Sequence, residues 1–385
     1  DGDGDGDGDG DGDGDAIVTL NKTLVRDLMP DLRAPGGMVY EKVEGLAVGI
    51  DGDVFIVNDN DGVDDNSGET QLINLGDALN GGDPPAPPAA TEENFVRIAS
   101  FPVCLQDDAN CDSDDETVAE IAAVSSDGNT VVYTDSPGDR VGFVDITDPA
   151  APTAAGTLDL GGEPTSVAAK GEFMVVGVNT STDFVTTSGH VAIVNVATQS
   201  IITTIDVGGQ PDSVAVSPDG SYIAVAIENE RDEDLDDGEL PQLPAGTLVI
   251  IDSSDSTVAN WAQTANSPVD LTGIAGYGPT DPEPEYVDIN ANNVAAVSMQ
   301  ENNHMALVDL ATGSVTAHFT AGTVSLTQID TEEEDPTLIS LTSSEADIPR
   351  EPDGISWMGT DRIATADEGD LFGGSRGFTV FDASG

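Results

Sequence analysis

Cationic side chains are the scarcest component of this sequence: Lys and Arg total 11 in 385 residues against 73 Asp and Glu, for a formal charge of −62. Phosphate backbones are gripped by Lys and Arg as counterions leave, so nucleic acid is excluded as a partner. The same imbalance drives self-repulsion unless salt or bound cations offset it, which points to a halophilic or marine, calcium-rich setting. Aromatic residues make up only 4%. No apolar run reaches the roughly 18 residues that a membrane helix needs. Histidine occurs three times, at His190, His304 and His318, with no His-x-x-x-His or Cys-x-x-Cys spacing, which argues against zinc. No Gly-x-Ser-x-Gly elbow accompanies them, which argues against a nucleophilic triad. The two cysteines, Cys104 and Cys111, lie in the acidic loop "CLQDDANC" and fit a small disulfide better than a thiol site. That implies an extracellular or cell-surface location. The absence of an initial Met or a signal-like segment suggests a processed or partial product.

What the chain does have is a repeated unit. "VEGLAVGIDGDVFIVNDND", "VAEIAAVSSDGNTVVYTDS", "GEPTSVAAKGEFMVVGVNT", "GQPDSVAVSPDGSYIAVAIENE", "PEYVDINANNVAAVSMQENN" and "PDGISWMGTDRIATADEGD" each join two short apolar runs through a turn, followed by a polar cluster. Turns rich in Asp, Gly or Asn between such runs are hairpin signals. A third strand follows each, in "TQLINL", "VGFVDIT", "HVAIVNV", "GTLVIID", "HMALVDL" and "GFTVFDA". A fourth can be read after the first five, in "NFVRIASF", "AAGTLDL", "IITTIDV", "VANWAQT" and "VTAHFTA". Four-stranded units of about 40–50 residues plus insertions predict a β-propeller.

The fold expected is therefore all-β: one six-bladed propeller over residues 16–385, preceded by an acidic tract at residues 1–15. The sixth unit stops after its third strand, and "AIVTLNKTLV" supplies the strand that completes this last blade and closes the ring. A seventh blade has room only in residues 322 to 350, which lack the paired-strand pattern.

In a four-stranded blade, the approach to the first strand and the loop after the second strand share one face. The approach side then carries Glu44, Glu120, Glu163, Asp212, Glu283, Glu285, Glu351 and Asp353. The return side carries Asn58, Asp59, Asp61, Asp135, Asn179, Glu228, Glu230, Glu301, Asn302, Asp367, Glu368 and Asp370. Recurrence at one place in the repeat suggests several calcium ions, hard cations that accept six to eight oxygens. The ligands expected are Glu44, Asn58, Asp59, Asp61, Glu228, Glu301, Glu351, Asp367 and Glu368, although any one of these acids could equally be a solvated loop residue. Lys42 and Arg350 are the cations that could face a phosphate; each could equally pair with its neighbouring acids.

The opening "DGDGDGDGDGDGDGD" matches the first half of an EF-hand loop, with oxygens at Asp1, Asp3 and Asp5, Gly6 at the turn and Asp7 next. The bidentate Glu of such a loop is missing, because position 12 is Gly12. The tract reads either as a flexible acidic linker or as a multivalent calcium strap joining one copy to the next.

Two family resemblances attach to quoted segments. "AIVTLNKTLVRDLMPDL" with "KVEGLAVGIDGDVFIVNDNDG" resembles the "esterase-like activity of phytase" family. "PEYVDINANNVAAVSMQENNHMALVDLATGSV" and "PDGISWMGTDRIATADEGDLFGGSRGFTVFD" resemble the bacterial surface propellers called choice-of-anchor I. The resemblances imply an extracellular, calcium-loaded propeller. Two functions are then expected: a non-catalytic surface or matrix module that self-assembles into fibres, or a calcium-dependent phosphoric monoester hydrolase with its site on the channel face. A polysaccharide or protein ligand on that face is the third; Trp261 and Trp357 are the tryptophans available for stacking.

Overall fold

The structure, a computed structural model, describes the backbone of residues 43–48, 54–58 and 71–74, and residues 97–111, 116–235, 238–331, 339–369 and 371–383. It divides into two compact units, Asp1–Val96 and Arg97–Gly385. In the first, β1 (Val43–Val48), β2 (Val54–Asn58) and β3 (Gln71–Asn74) form an antiparallel meander.

The second unit is all-β, of the β-propeller type, built from successive antiparallel meanders. One sheet contains β4 (Ala122–Val124), β5 (Thr130–Asp135), β6 (Arg140–Asp145) and β7 (Thr153–Asp159). The next contains β8 (Glu163–Lys170), β9 (Phe173–Asn179), β10 (Gly189–Asn195) and β11 (Ser200–Asp206). Then come β12 (Pro211–Val216), β13 (Tyr222–Ile227) and β14 (Thr247–Asp252), with β15 (Ala262–Gln263) and β16 (Val269–Asp270) both pairing with β14. A four-stranded sheet of β17 (Pro284–Ile289), β18 (Val294–Met299), β19 (His304–Asp309) and β20 (Ser314–Thr320) follows. After the pair β21 (Thr323–Ile329) and β22 (Ser343–Pro349), the last sheet is β23 (Pro352–Met358), β24 (Arg362–Asp367) and β25 (Gly377–Asp382).

The turns explain why the meanders form where they do. In "SSDGN" and "SPDGS", Gly128 and Gly220 adopt φ of +75° and +70°, which a side chain would resist. The aspartate before each closes the turn: Asp127 Oδ1 accepts from Asn129 N at 3.1 Å, and Asp219 Oδ1 from Ser221 N at 2.8 Å.

The apolar residues are buried between neighbouring sheets. One cluster joins Leu248 and Ile250 of β14 to Val297 and Met299 of β18, and another joins Val191 and Ile193 of β10 to Val225 and Ile227 of β13. Small aliphatic side chains suffice because each core is a thin layer between two sheets, so a 4% aromatic content is no obstacle. First strands also stack on one another, β8 on β12, β12 on β17 and β17 on β23. Hydroxyls knit the first two of these contacts: Ser166 Oγ accepts from Val214 N at 3.1 Å, and Ser213 Oγ from Val287 N at 3.4 Å.

Three expectations are corrected. Residues 322 to 350 do contain paired strands, since β21 and β22 are antiparallel from Thr323↔Pro349 to Ile329↔Ser343. "VANWAQT" opens as a 3-10 turn at Val258–Asn260 and supplies the expected fourth strand only as the short β15, which pairs with β14. Trp261 between them is turned inward, its Nε1–H donating to Asp255 O at 2.7 Å. Residues 97–101 of "NFVRIASF" carry no strand. The proposed closing strand "AIVTLNKTLV" lies outside the described residues.

Gly246, just before β14, packs beneath the next sheet's first strand: an added Cβ would lie 2.4 Å from both Ile227 O and Pro284 Cδ. Gly246→Ala is expected to cost about 1–3 kcal/mol by overpacking. Urea unfolding would check this; an unchanged midpoint would mean the two sheets do not meet so closely.

Candidate functional site

The first strands share a local device. β12, β17 and β23 begin Pro-Asp, Pro-Glu and Pro-Asp, and in each the register slips just after the proline, between Pro211 and Val214, Pro284 and Val287, and Pro352 and Ile355. Proline suits the first position of a strand because it has no N–H to pair. The bulge behind it re-aims the next side chain. Asp212, Glu285 and Asp353 all occupy this position. β8 slips between Pro164 and Ser166 and β1 between Val43 and Gly45, so Glu44 also sits at a bulge.

The return loops are pinned by amides. Asn229 Oδ1 accepts from Gln210 N and Asn302 Oδ1 from Glu283 N, both at 2.9 Å. Asn303 Oδ1 accepts from Arg350 N and Glu351 N, both at 3.1 Å. The amides therefore close loops, and the carboxylates are left as the inward-facing groups.

Their charges converge. Asp212 is pushed up to about 8, by enclosure first and then by Asp353, Glu301, Glu230 and Glu120. Enclosure also holds Glu228 and Glu285 well above the usual carboxylate range, reinforced by Asp212 and Glu301. These three side chains keep some solvent-accessible area yet are hemmed in by protein atoms. Asp353 is pushed up to about 6 by burial and by Glu368. Glu283, fully buried, is pushed up to about 10 by burial, Glu301 and Asp281, against the opposing pull of Arg231. With the Gln300 amide flipped, the orientation its acceptor neighbours require, its nitrogen donates to Glu285 Oε1 at 2.8 Å.

Arg231 is a buried cation within this group. Its Nη1 lies 2.8 Å from Glu301 Oε1 and 3.8 Å from Glu283 Oε2. The repeat pattern did not single it out. The signal available was a lone basic residue in "ENERDEDLDDGE".

Of the expected ligands, Glu228, Glu301 and Glu368 belong to this convergence. Glu351 and Asp367 are instead tied to the last sheet. Glu351 Oε1 accepts from Phe372 N at 2.8 Å, while Asp367 accepts from Thr365 Oγ1 at 2.8 Å and Thr379 Oγ1 at 2.5 Å. Arg350 Nη1 donates to Ala321 O at 2.9 Å and Thr323 O at 3.1 Å, with Nε 3.8 Å from Asp367. Lys42, Asp59, Asp61, Asp1, Asp3, Asp5 and Asp7 lie outside the described residues, and only the backbone of Glu44 and Asn58 is described. Among the described residues no group of three or more His, Cys, Asp or Glu is arranged to hold a metal ion. Asp212, Glu283, Glu285 and Asp353, on the approach side but absent from the expected ligand set, form the heart of the site. The signal for three of them was the repeated Pro-acid pair.

Cys104 and Cys111 are joined by a disulfide, with Cα atoms 5.2 Å apart. Both tryptophans are structural: Trp261 is buried, and Trp357 Nε1–H donates to Asp288 O at 3.2 Å. No described helix is long and apolar enough to cross a membrane.

Residues 120–382 match the profile of the Choice-of-anchor I domain. No curated protein matches the chain. Among solved structures, the β-propeller domain of Myceliophteria thermophila Cps50 (Swd1) is 12% identical, with 66% of this chain and 67% of that chain covered at a TM-score of 0.42. A functionally unknown protein from Desulfotomaculum acetoxidans is 13% identical, covering 71% and 72% at 0.39. A putative 6-phosphogluconolactonase from Bacteroides uniformis is 16% identical, covering 71% and 70% at 0.38. Likenesses this distant carry nothing about activity.

Proposed function

The chain belongs to the Choice-of-anchor I domain family, and from that premise we propose that it is a secreted or cell-surface β-propeller module whose channel face takes up calcium. The observation that carries this reading is the convergence of Asp212, Glu228, Glu283, Glu285 and Asp353, whose carboxyl groups are held up out of their usual range, with Glu301, which pairs with Arg231. Ionised, these groups repel one another, and a hard divalent cation with flexible oxygen coordination offsets that repulsion. The Asp-Gly tract offers the same chemistry, and calcium-bridged association of copies into fibres rests on it.

The phosphoesterase reading has less support. Arg350 is committed to backbone carbonyls, and a phosphate would approach a face dominated by carboxylates. One experiment separates the readings: thermal unfolding in calcium and in EDTA at matched ionic strength, with phosphate release from phytate followed in parallel. Calcium at about 100 times its Kd is expected to stabilise by about 2.7 kcal/mol, and Asp212→Asn with Glu285→Gln should remove most of that gain. Identical curves with and without calcium would refute the cation reading. Calcium-dependent turnover would make the protein a hydrolase.

A further inference from the structure

Where the β18–β19 loop meets the start of β19 and the end of β20 lies a cleft of about 680 Å³. Small-ligand sites span roughly 300–1,000 Å³ and combine apolar walls with a few placed polar groups. Tyr277, Phe319 and Phe372 supply aromatic walls here. Tyr277 and Phe372 pack edge to face, with centroids 5.1 Å apart and planes at 72°. Phe372 keeps 48% of its surface exposed, although its backbone N–H is anchored to Glu351 Oε1. A ring held in place yet half uncovered is a surface on which a second ring can stack.

Most polar groups of the wall are already committed. Glu301, the one acid lining the cleft among the described residues, is paired with the buried Arg231 at 2.8 Å, and no Lys or Arg lines it. Asn302 bonds to Glu283 N and Asp281 O, and Asn303 to Arg350 N and Gly322 O. The Tyr277 hydroxyl is engaged by the Leu240 backbone. The wall therefore offers no unpaired fixed charge, and a charged ligand of either sign would shed water without gaining a partner.

The two histidines leave one group over. They sit diagonally across β19 and β20, with His304 Nε2 3.0 Å from His318 Nδ1. His304 Nδ1 is buried without a partner, and an orphaned buried N–H is tolerated less well than an orphaned acceptor. The proton of His304 is accordingly assigned to Nε2, donating to His318 Nδ1, which puts the His318 proton on Nε2. His318 is exposed at the cleft wall and makes no other hydrogen bond among the described residues, so that N–H is a free donor. We propose that this cleft binds an uncharged aromatic compound with an acceptor oxygen, its ring against Phe372 and Tyr277 and its oxygen on His318 Nε2–H. Stacking supplies the affinity, and the single donor orients the ring.

The test is ligand-observed NMR titration of the full chain at pH 8 with acetophenone, toluene, benzoate and benzylammonium, in about 1 M NaCl to screen the surface acids. Acetophenone should saturate a single site, and toluene, which cannot accept the hydrogen bond, should bind about three- to tenfold more weakly. Benzoate and benzylammonium should also fall below acetophenone. His318→Asn keeps an oxygen that can accept from His304 Nε2 but loses the Nε2–H, so it should bring acetophenone down to the level of toluene and leave toluene unchanged. Phe372→Ala, which removes an exposed side chain, should weaken both by about tenfold. Equal affinity of the native chain for acetophenone and toluene would refute the donor. Either ion binding as tightly as acetophenone would overturn the selection against charge. Undiminished binding by Phe372→Ala would place the ligand elsewhere, and no saturation with any of the four compounds would refute the site.

Discussion

Arg231→Met is expected to destabilise the protein by about 3–5 kcal/mol, the usual consequence of stripping a buried carboxylate of its partner. Arg231 is 5% exposed, and it faces Glu301 and Glu283, which are 3% and 0% exposed. Its removal takes the 2.8 Å bond and the counter-charge from Glu301, which is buried away from water. Arg231→Lys should recover only part of the loss, since a lysine is a point charge without the planar fork that a guanidinium presents to two carboxylates. The informative control is Glu283→Gln. Because Glu283 is pushed up to about 10, it carries its proton at neutral pH, so an uncharged isostere should change little by itself. Placed with Arg231→Met, it should add little to the loss, so that the two changes are nearly additive, because a protonated Glu283 has no charge for Arg231 to offset. Urea unfolding at pH 7 would measure all four proteins. A loss below about 1 kcal/mol for Arg231→Met would place its charge on the scale of an exposed pair.

Lowering the pH from 8 to 5 in divalent-free buffer should raise the melting temperature, the reverse of the usual behaviour of a carboxylate that gains a partner on folding. The sign follows from linkage. Asp212 at about 8, Asp353 at about 6 and Glu283 at about 10 all lie above the carboxylate values of roughly 3.9–4.3 in an unfolded chain. Between the two values the folded state holds protons that the unfolded state has released, so stability falls as pH rises. This contribution is full below about pH 4 and is lost progressively up to the folded values. Each group contributes at most about 1.4 kcal/mol per pH unit within its own window. Exposed acids act in the opposite sense at lower pH. Asp219 is held down to about 2 by hydrogen bonds from Asn293, Ser221 and Ser217, and Asp107 is lowered by Arg140, so their stabilisation fades as they protonate. The expected profile has its maximum at about pH 4–6 and declines towards pH 8. Asp212→Asn with Glu283→Gln should flatten the decline. Calcium, if it occupies the channel face, should reverse it, because the ion prefers the ionised carboxylates. A melting temperature that rises from pH 5 to 8 without divalent ions would contradict the convergence itself.

The strands were legible because their causes are local. Short apolar runs entered through turns of Asp-Gly, Lys-Gly or Asn-Asn mark β5, β9, β13 and β18 in the chain itself. β22 was not legible: "SSEADIP" has little apolar character and becomes a strand only because β21 lies alongside it. The same division runs through the site. Repetition put acids on one face, since the loops of equivalent repeats return to equivalent places. Which of those acids crowd together, and which are merely tied into their own loops, was not readable from repetition. Glu351 and Asp367 look in the sequence like Glu228 and Glu301, yet hydrogen bonds to Phe372, Thr365 and Thr379 occupy them.

By itself, then, the sequence determined the strand units, the hairpin turns and the dominance of negative charge, each of which depends on residues a few positions apart. Tertiary structure alone decided that Asp212, Glu285 and Asp353 confront one another across stacked first strands and that Arg231 lies among their neighbours. Those relations join residues up to two repeats apart, and their energies depend on enclosure by neighbouring sheets, a property that no single segment of the chain possesses.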